Sequence, residues 1–248
     1  FYSLNNDPSL IERRRKGNER ADKLLRTAYR IAGFLYAFPF VQAVGISGSL
    51  SKHYADADAD IDFFIITKTN RLWIARTLMH GLKKLSYLIG RQDWYCMNYY
   101  IDEEALMIKE QNIFTATEVV TLLPVYGDKT IPDFFRTNAW ASGYLPNYEH
   151  MHECICKKTG KPWFKTVIEK MLDNSFGMKM DDYLMRVTTK RWTKKEEYHK
   201  LNMKGDPLAL KTVRHFSRPN PDHFQKKILG MYAGKLKNME TKWGIDLH

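Results

Sequence analysis

Long apolar runs, cysteines and internal repeats are scarce in this sequence, and each scarcity argues against a class of protein. The 248 residues contain no run of eighteen apolar residues, so we expect no membrane-spanning helix and no membrane partner. Three cysteines cannot close a disulfide framework, which favours a reducing compartment and predicts a cytoplasmic protein. The sequence also contains no internal repeats and no low-complexity tracts. Residue 1 is Phe rather than Met, from which we expect a piece of a longer protein.

What the chain does contain is apolar material and an uneven positive charge. Hydrophobic residues make up 44% and aromatic residues 13%, enough for a sizeable core and too much for a disordered chain. The net charge of +11 is the sum of +4 in residues 1–34, −4 in residues 35–156 and +11 in residues 157–248. The excess of acidic residues in 35–156 indicates that carboxylates are gathered there for a function. The basic flanks either attract a polyanion such as nucleic acid or solvate helix faces.

Hydrophobic spacing predicts the order of helices and strands. We expect strands over 41–46, 60–67 and 94–101, with helices over 8–36, 70–89, 115–123 and 134–140. Pro39 and Pro124 are expected to end the helices that precede them. Residues 163–203 and 223–243 have helical patterns, and residues 217–222 are expected to form a loop. We therefore predict two regions, 1–146 and a basic, mainly helical 147–248, with a boundary near 146–160.

The chemistry is concentrated in Gly48-Ser49 and in Asp60-Ile61-Asp62, which follow after a short gap. Side chains alternate along a strand, so Asp60 and Asp62 are expected to point the same way, about 6–7 Å apart. Two such carboxylates can share divalent cations, which bridge nucleotide phosphates and activate a hydroxyl. Gly48 lets the backbone approach a ligand closely, and Ser49 is expected to begin a helix whose free N–H groups favour a phosphate. The two halves suit one substrate, a metal-bound nucleoside triphosphate.

At these residues the sequence resembles the DNA polymerase β-like nucleotidyltransferase superfamily, in an uncharacterised bacterial branch. The likeness is close over residues 47–63 and extends more loosely over 39–73. It implies an α+β fold, with a mixed sheet flanked by helices. It also implies that Gly48 and Ser49 hold the triphosphate and that Asp60 and Asp62 bind Mg²⁺, with Mn²⁺ as the alternative metal.

The superfamily usually has a third carboxylate on a later strand, where this chain offers Asn98. Asn98 can bind a metal through its amide oxygen, but it is neutral and cannot act as a base. We mark it as the third metal-ligand position. Asp102 at the end of the same strand and Glu118 on a nearby helix are alternatives that could replace it in space.

Three other patterns have competing interpretations. Asp56 to Asp62 alternate with apolar residues, but an EF-hand loop starting at Asp56 would need Gly and Glu where Ile61 and Thr67 stand, so we exclude it. Lys52 either reaches a phosphate as a cofactor-binding residue or is an exposed helix lysine. Four potential zinc ligands alternate without the spacing typical of zinc sites, and we favour incidental side chains: His150, His152, Cys154 and Cys156.

The sequence thus predicts a Mg²⁺-dependent nucleotidyltransferase. It would transfer a nucleoside monophosphate from an NTP to an acceptor and release pyrophosphate, with Asp60 and Asp62 as the catalytic residues. The acceptor, which could be a nucleic acid, and the base preference stay open. The alternative is a catalytically impaired protein of the same fold that binds nucleotides or RNA, favoured by Asn98 and by the charge of the C-terminal region.

Overall fold

A computed structural model describes residues 7–87, 96–148, 160–198, 210–219 and 221–244. Within these ranges the helices are α1 (Pro8–Tyr36), α2 (Gly48–Ser51), α3 (Leu72–Tyr87), α4 (Ile113–Val120), α5 (Thr130–Thr137), α6 (Trp163–Leu172), α7 (Ser175–Glu197) and α8 (Pro221–Trp243), with a 3₁₀ helix at Ala139–Gly143. The strands are β1 (Val41–Ile46), β2 (Asp62–Thr67), β3 (Cys96–Asp102), β4 (Leu123–Tyr126), β5 (Leu210–Val213) and β6 (Phe216–Pro219). The predicted α+β class is confirmed.

The strands form one mixed sheet in the order β4-β1-β2-β3-β6-β5. Only β2 and β3 are parallel, and the other pairs are antiparallel. The parallel register places Asp62 opposite Cys96 at one edge of the sheet and Thr67 opposite Asp102 at the other. We call these two ends of the β2–β3 pair the Asp62 edge and the Asp102 edge.

Strand β2 separates two apolar layers, because its side chains alternate between the two faces of the sheet. Phe63 and Ile65 pack with α1 and α3 on the first face. Phe64 and Ile66 pack with α4 and α5 on the second face, where Phe64 contacts Phe134. A strand that is covered on both faces has apolar residues at successive positions, which explains the continuous apolar run from Phe63 to Ile66.

The long helix α1 agrees with the predicted range and has a defined start. The Asp7 side chain accepts a hydrogen bond of 2.9 Å from the Ser9 N–H, and Pro8 occupies the first turn, where a missing N–H costs nothing. The helix packs on β1 and β4. Its buried side of small residues, such as Ala21, Ala28 and Ala32, lets the helix approach the sheet closely.

Several predicted boundaries are wrong. Asp60 precedes β2, which begins at Asp62 and not at residue 60. Pro124 does not follow directly on a helix but lies inside β4, an edge strand that tolerates a missing donor. Residues 217–219, expected in a loop, belong to β6.

The C-terminal region contributes strands as well as helices. β6 pairs with β3, and β5 pairs with β6, so residues 210–219 extend the sheet of the first region. The sheet therefore crosses the predicted boundary between 1–146 and 147–248. These strands are only four residues long, and non-local pairing at that length leaves a weak signal in the sequence.

Helix α6 is fastened to the start of β1 by two side chains one turn apart. The fully buried Lys165 ammonium donates hydrogen bonds of 2.7 Å to the carbonyls of both Tyr36 and Val41. The Glu169 carboxylate accepts a 2.8 Å hydrogen bond from the N–H of Phe40, whose φ of 66° lies in the left-handed region. Because a strained φ persists only where its surroundings hold it, α6 helps to fix the turn between α1 and β1.

We expect Lys165→Met to lower the free energy of unfolding near neutral pH by roughly 2–4 kcal/mol, because two buried carbonyls lose their donor. Burial lowers the pKa of Lys165 from 10.5 to about 8. Between these values the unfolded chain binds a proton that the folded chain has released, so wild-type stability should rise with pH relative to the variant, by roughly 1–3 kcal/mol.

Urea unfolding of both proteins at several pH values across this window measures the difference. Lys170→Met on the exposed side of α6 is the matched control and should show neither effect. A stability difference between wild type and Lys165→Met that does not change with pH would contradict the buried-lysine explanation.

Candidate functional site

The turn between β1 and α2 is held against the first residue of β2. The ladder between the two strands ends with Ile46 opposite Phe63, and the Ser47 N–H then donates a 2.9 Å hydrogen bond to the Asp62 carbonyl. Ser47 is the N-cap of α2, but its side chain makes no capping hydrogen bond. The first N–H groups of a helix have no partner within the helix. In α2 the Ser47 side chain does not supply one.

Gly48 and the Asp62 carboxylate are in close proximity. Gly48 has a φ of +71°, a conformation that favours glycine. A Cβ atom placed on it would lie only 2.5 Å from Asp62 Oδ2. The fold therefore brings the glycine turn and one of the two predicted metal-binding carboxylates together, which the sequence only suggested.

The predicted alternation around the acidic pair is confirmed in its burial. Ile61 and Phe63 are completely buried, whereas Asp60 and Asp62 are partly exposed. Asp60 stands just before the strand rather than on it, so its position is set by the buried Ile61 beside it and not by the sheet ladder. Both aspartates are therefore partly open to solvent at the Asp62 edge.

Lys52 and Glu118 meet beside the same turn, from positions 66 residues apart. The Lys52 ammonium donates a 2.9 Å hydrogen bond to the Gly48 carbonyl and lies 2.8 Å from Glu118 Oε1. About a third of each side chain is exposed. Lys52 is therefore not a freely solvated lysine, and Glu118 is an additional carboxylate in the neighbourhood of Gly48.

Asp102 cannot supply the third carboxylate, because it lies at the opposite edge of the sheet from Asp62. It is completely buried and accepts 3.0 Å hydrogen bonds from the N–H groups of Asn70 and Glu104. His215 Nδ1 lies 2.9 Å from its Oδ2. These contacts give Asp102 a structural role. Asn98 lies in β3, but its side chain falls outside the described residues.

Two arginines that follow β2, Arg71 and Arg76, contact the C-terminal region and the core. Arg71 donates hydrogen bonds to the carbonyls of Leu172 and Asn174 at the end of α6. Arg76 is buried against the ring of Trp73, and burial lowers its pKa. Trp73 is completely buried, as expected of a core residue.

The donor set at the Asp62 edge fits a magnesium ion. Mg²⁺ prefers oxygen ligands and is commonly bound through one or two carboxylates together with substrate phosphates and waters. Asp60 and Asp62 offer two carboxylates, and the backbone of Gly48 lies next to the carboxylate of Asp62. Among the described residues no group of three or more His, Cys, Asp or Glu side chains could hold a metal, so an ion would depend on its substrate for further ligands.

The possible zinc ligands His150, His152, Cys154 and Cys156 lie outside the described residues. A pocket of about 340 Å³ lies between α1 and the segment that links the turn to β2, beside Tyr54 and Asp56. Its lining does not include the acidic pair, which stands on the partly exposed sheet edge.

Comparisons of this chain with protein-family models, with curated proteins and with solved structures find no match. Among the described helices, none combines the length and the apolar character that crossing a bilayer requires.

We expect Gly48→Ala to lower the free energy of unfolding by about 1–2 kcal/mol. Alanine is strained at the left-handed φ of this position, and its Cβ would meet the Asp62 carboxylate. Gly81→Ala is the matched control: Gly81 lies in α3, and a Cβ there meets nothing within 4 Å. That substitution should raise stability by about 0.5–1 kcal/mol. Chemical denaturation measures both, and a neutral Gly48→Ala would contradict the proposed crowding.

Proposed function

We propose that this protein is a Mg²⁺-dependent nucleotidyltransferase, with Mn²⁺ as an alternative metal. It transfers a nucleoside monophosphate from a nucleoside triphosphate to a hydroxyl group of an acceptor. The observation that carries this proposal is the proximity of the Gly48 turn to the Asp62 carboxylate, with Asp60 partly exposed two residues away. A phosphate chain at the turn and a cation at the carboxylates would then be neighbours.

Each residue has a defined role in this proposal. Asp60 and Asp62 hold the metal, which when bound neutralises phosphate charge and favours ionisation of the attacking hydroxyl. Gly48 and Ser49 bind the triphosphate through backbone N–H groups, since Ser47 does not cap them. Helix α2 is one turn long, so these local donors matter and a helix dipole does not. Lys52 turns from Glu118 toward the phosphates as a point charge.

The transfer is a substitution at the α-phosphorus. The acceptor oxygen forms a bond to this phosphorus, and the bond to the oxygen that bridges to the β-phosphate breaks. Pyrophosphate leaves with the electron pair of that bond. The proton of the acceptor hydroxyl passes to a carboxylate, for which Asp60, Asp62 and the nearby Glu118 are the candidates.

The proposal predicts that Asp60→Asn combined with Asp62→Asn abolishes transfer. We expect at least a hundredfold loss of pyrophosphate release, since the amides cannot replace the charge that holds the metal. The assay uses each of the four nucleoside triphosphates with RNA, small hydroxylated molecules and proteins as acceptors. A label on the α-phosphate follows transfer to the acceptor, and the pyrophosphate released is measured in the same reactions. Asp58→Asn, an exposed aspartate of the same segment, is the matched control. Equal activity of all three proteins would refute the proposal.

A second prediction concerns Lys52. Lys52→Met should weaken binding of a non-hydrolysable triphosphate by roughly three- to tenfold while changing binding of the monophosphate little, because the ammonium reaches the outer phosphates. Titration calorimetry in the presence of Mg²⁺ measures both affinities. Lys84→Met on an exposed position of α3 removes the same charge elsewhere. Equal losses for triphosphate and monophosphate would contradict the role of Lys52.

A nucleotide-binding protein without transferase activity is the second candidate function. Two observations support this second candidate: the described residues contain no cluster of three metal-binding side chains, and Asp102 serves a structural role. The same assays separate the two functions. Mg²⁺-dependent triphosphate binding without pyrophosphate release from any acceptor would favour this candidate over the enzyme.

A further inference from the structure

A groove of about 620 Å³ runs between α7 and the edge strand β5, on a different face of the sheet from Asp62. Helix α7 packs with α3 on the first face, whereas Asp62 shares its side of β2 with Phe64 on the second. The groove is larger than the pocket beside Tyr54 and has a volume typical of ligand sites. The groove is therefore separate from the candidate site at Asp62.

The groove has a strongly basic lining. Arg186, Lys190 and Lys194 project from α7, Arg214 closes one end, and Glu197 is the one carboxylate among the lining residues. Arg186, Lys190 and Lys194 are exposed, and no ion pair involves them within the described part of the chain. The excess of cations over the single carboxylate in this lining favours an anionic occupant.

The cations of α7 form a regular row. They are four residues apart, so they lie on one side of the helix at steps of about 6 Å along its axis. Thr189 and Thr193 lie between them, and Thr212 faces them from β5. Lysine, arginine and threonine side chains in alternation are typical donors to the phosphates of a nucleic acid backbone.

The walls of the groove are fixed by contacts at two points. The hydroxyls of Thr189 and Thr212 lie 3.2 Å apart, joining the helix to the strand. Arg214 forms a 3.4 Å ion pair with Asp182, near the start of α7. The helix that carries the cations is therefore held against β5 before a ligand arrives, which reduces the entropic cost of binding.

We propose that this groove binds the sugar–phosphate backbone of single-stranded RNA. One helix and one strand enclose a space for a single extended chain, and every nucleotide brings a negative charge to it. An acidic peptide fits less well: if it paired with the β5 edge, its side chains would alternate between the two faces of the sheet, and half of its carboxylates would point away from α7. The binding surface is independent of the proposed transferase function.

The test measures binding of a fluorescein-labelled oligouridylate of about twelve nucleotides by anisotropy. If three phosphates are neutralised, the logarithm of the association constant should fall with the logarithm of salt concentration with a slope of about −2. That slope corresponds to roughly a twentyfold loss of affinity between about 50 and 200 mM salt.

The variant Lys190→Gln plus Lys194→Gln removes two of the three cations. Its slope should fall to about −0.7, with only a roughly threefold loss over the same salt range and weaker binding throughout. Lys226→Gln plus Lys227→Gln, at exposed positions of α8, is the control with the same change in net charge. It should bind RNA as the wild type does. Thermal unfolding of both variants should match the wild type, since these lysines are exposed.

Three results would overturn the proposal: no RNA binding by the wild type, equal losses in the groove and control variants, or displacement of the oligonucleotide by polyglutamate as efficiently as by unlabelled RNA. The last result would favour an acidic protein partner. The assay contains no nucleoside triphosphate and no Mg²⁺, so its outcome does not depend on the transferase proposal.

Discussion

The hydrogen bond from the Ser47 N–H to the Asp62 carbonyl is the contact on which the candidate site depends. It continues the β1–β2 ladder by one step beyond the last residue of β1, so that the chain must turn directly over the start of β2. Gly48 adopts a left-handed φ at this point, and a side chain there would meet Asp62. The carboxylate and the turn are close because the two strands are antiparallel neighbours, so the end of β1 lies beside the start of β2.

The two edges of the parallel β2–β3 pair are used differently. At the Asp102 edge a completely buried carboxylate is surrounded by donors, and it joins β3 to the loop before α3 and to the β5–β6 turn. A buried charge requires such partners, so this edge is structural. At the Asp62 edge the carboxylates are only partly buried. Partial exposure leaves these aspartates accessible to an ion from solvent.

The helices α6 and α7 of the C-terminal region hold parts of the first region in place. Helix α6 fixes the turn before β1 through Lys165 and Glu169, and α7 supports the start of α3 through Asp181, which accepts a 2.8 Å hydrogen bond from the Ile74 N–H. Burial raises the pKa of Asp181 to about 6. Polar side chains thus dock both helices on the first region, and the basic groove is formed where α7 passes over β5.

The sequence by itself determined the long first helix and the burial of Ile61 and Phe63 between two partly exposed aspartates, because these features depend on local spacing of apolar residues. The α+β class, which the structure confirms, was implied by the resemblance at Gly48-Ser49 and Asp60-Asp62. Only the tertiary structure decided that Lys52 meets Glu118, that Asp102 lies at the wrong edge to help Asp62, and that residues 210–219 extend the sheet. Each of these depends on pairing between segments far apart in the chain. Strand direction and register set such contacts, and no local pattern in the sequence encodes them.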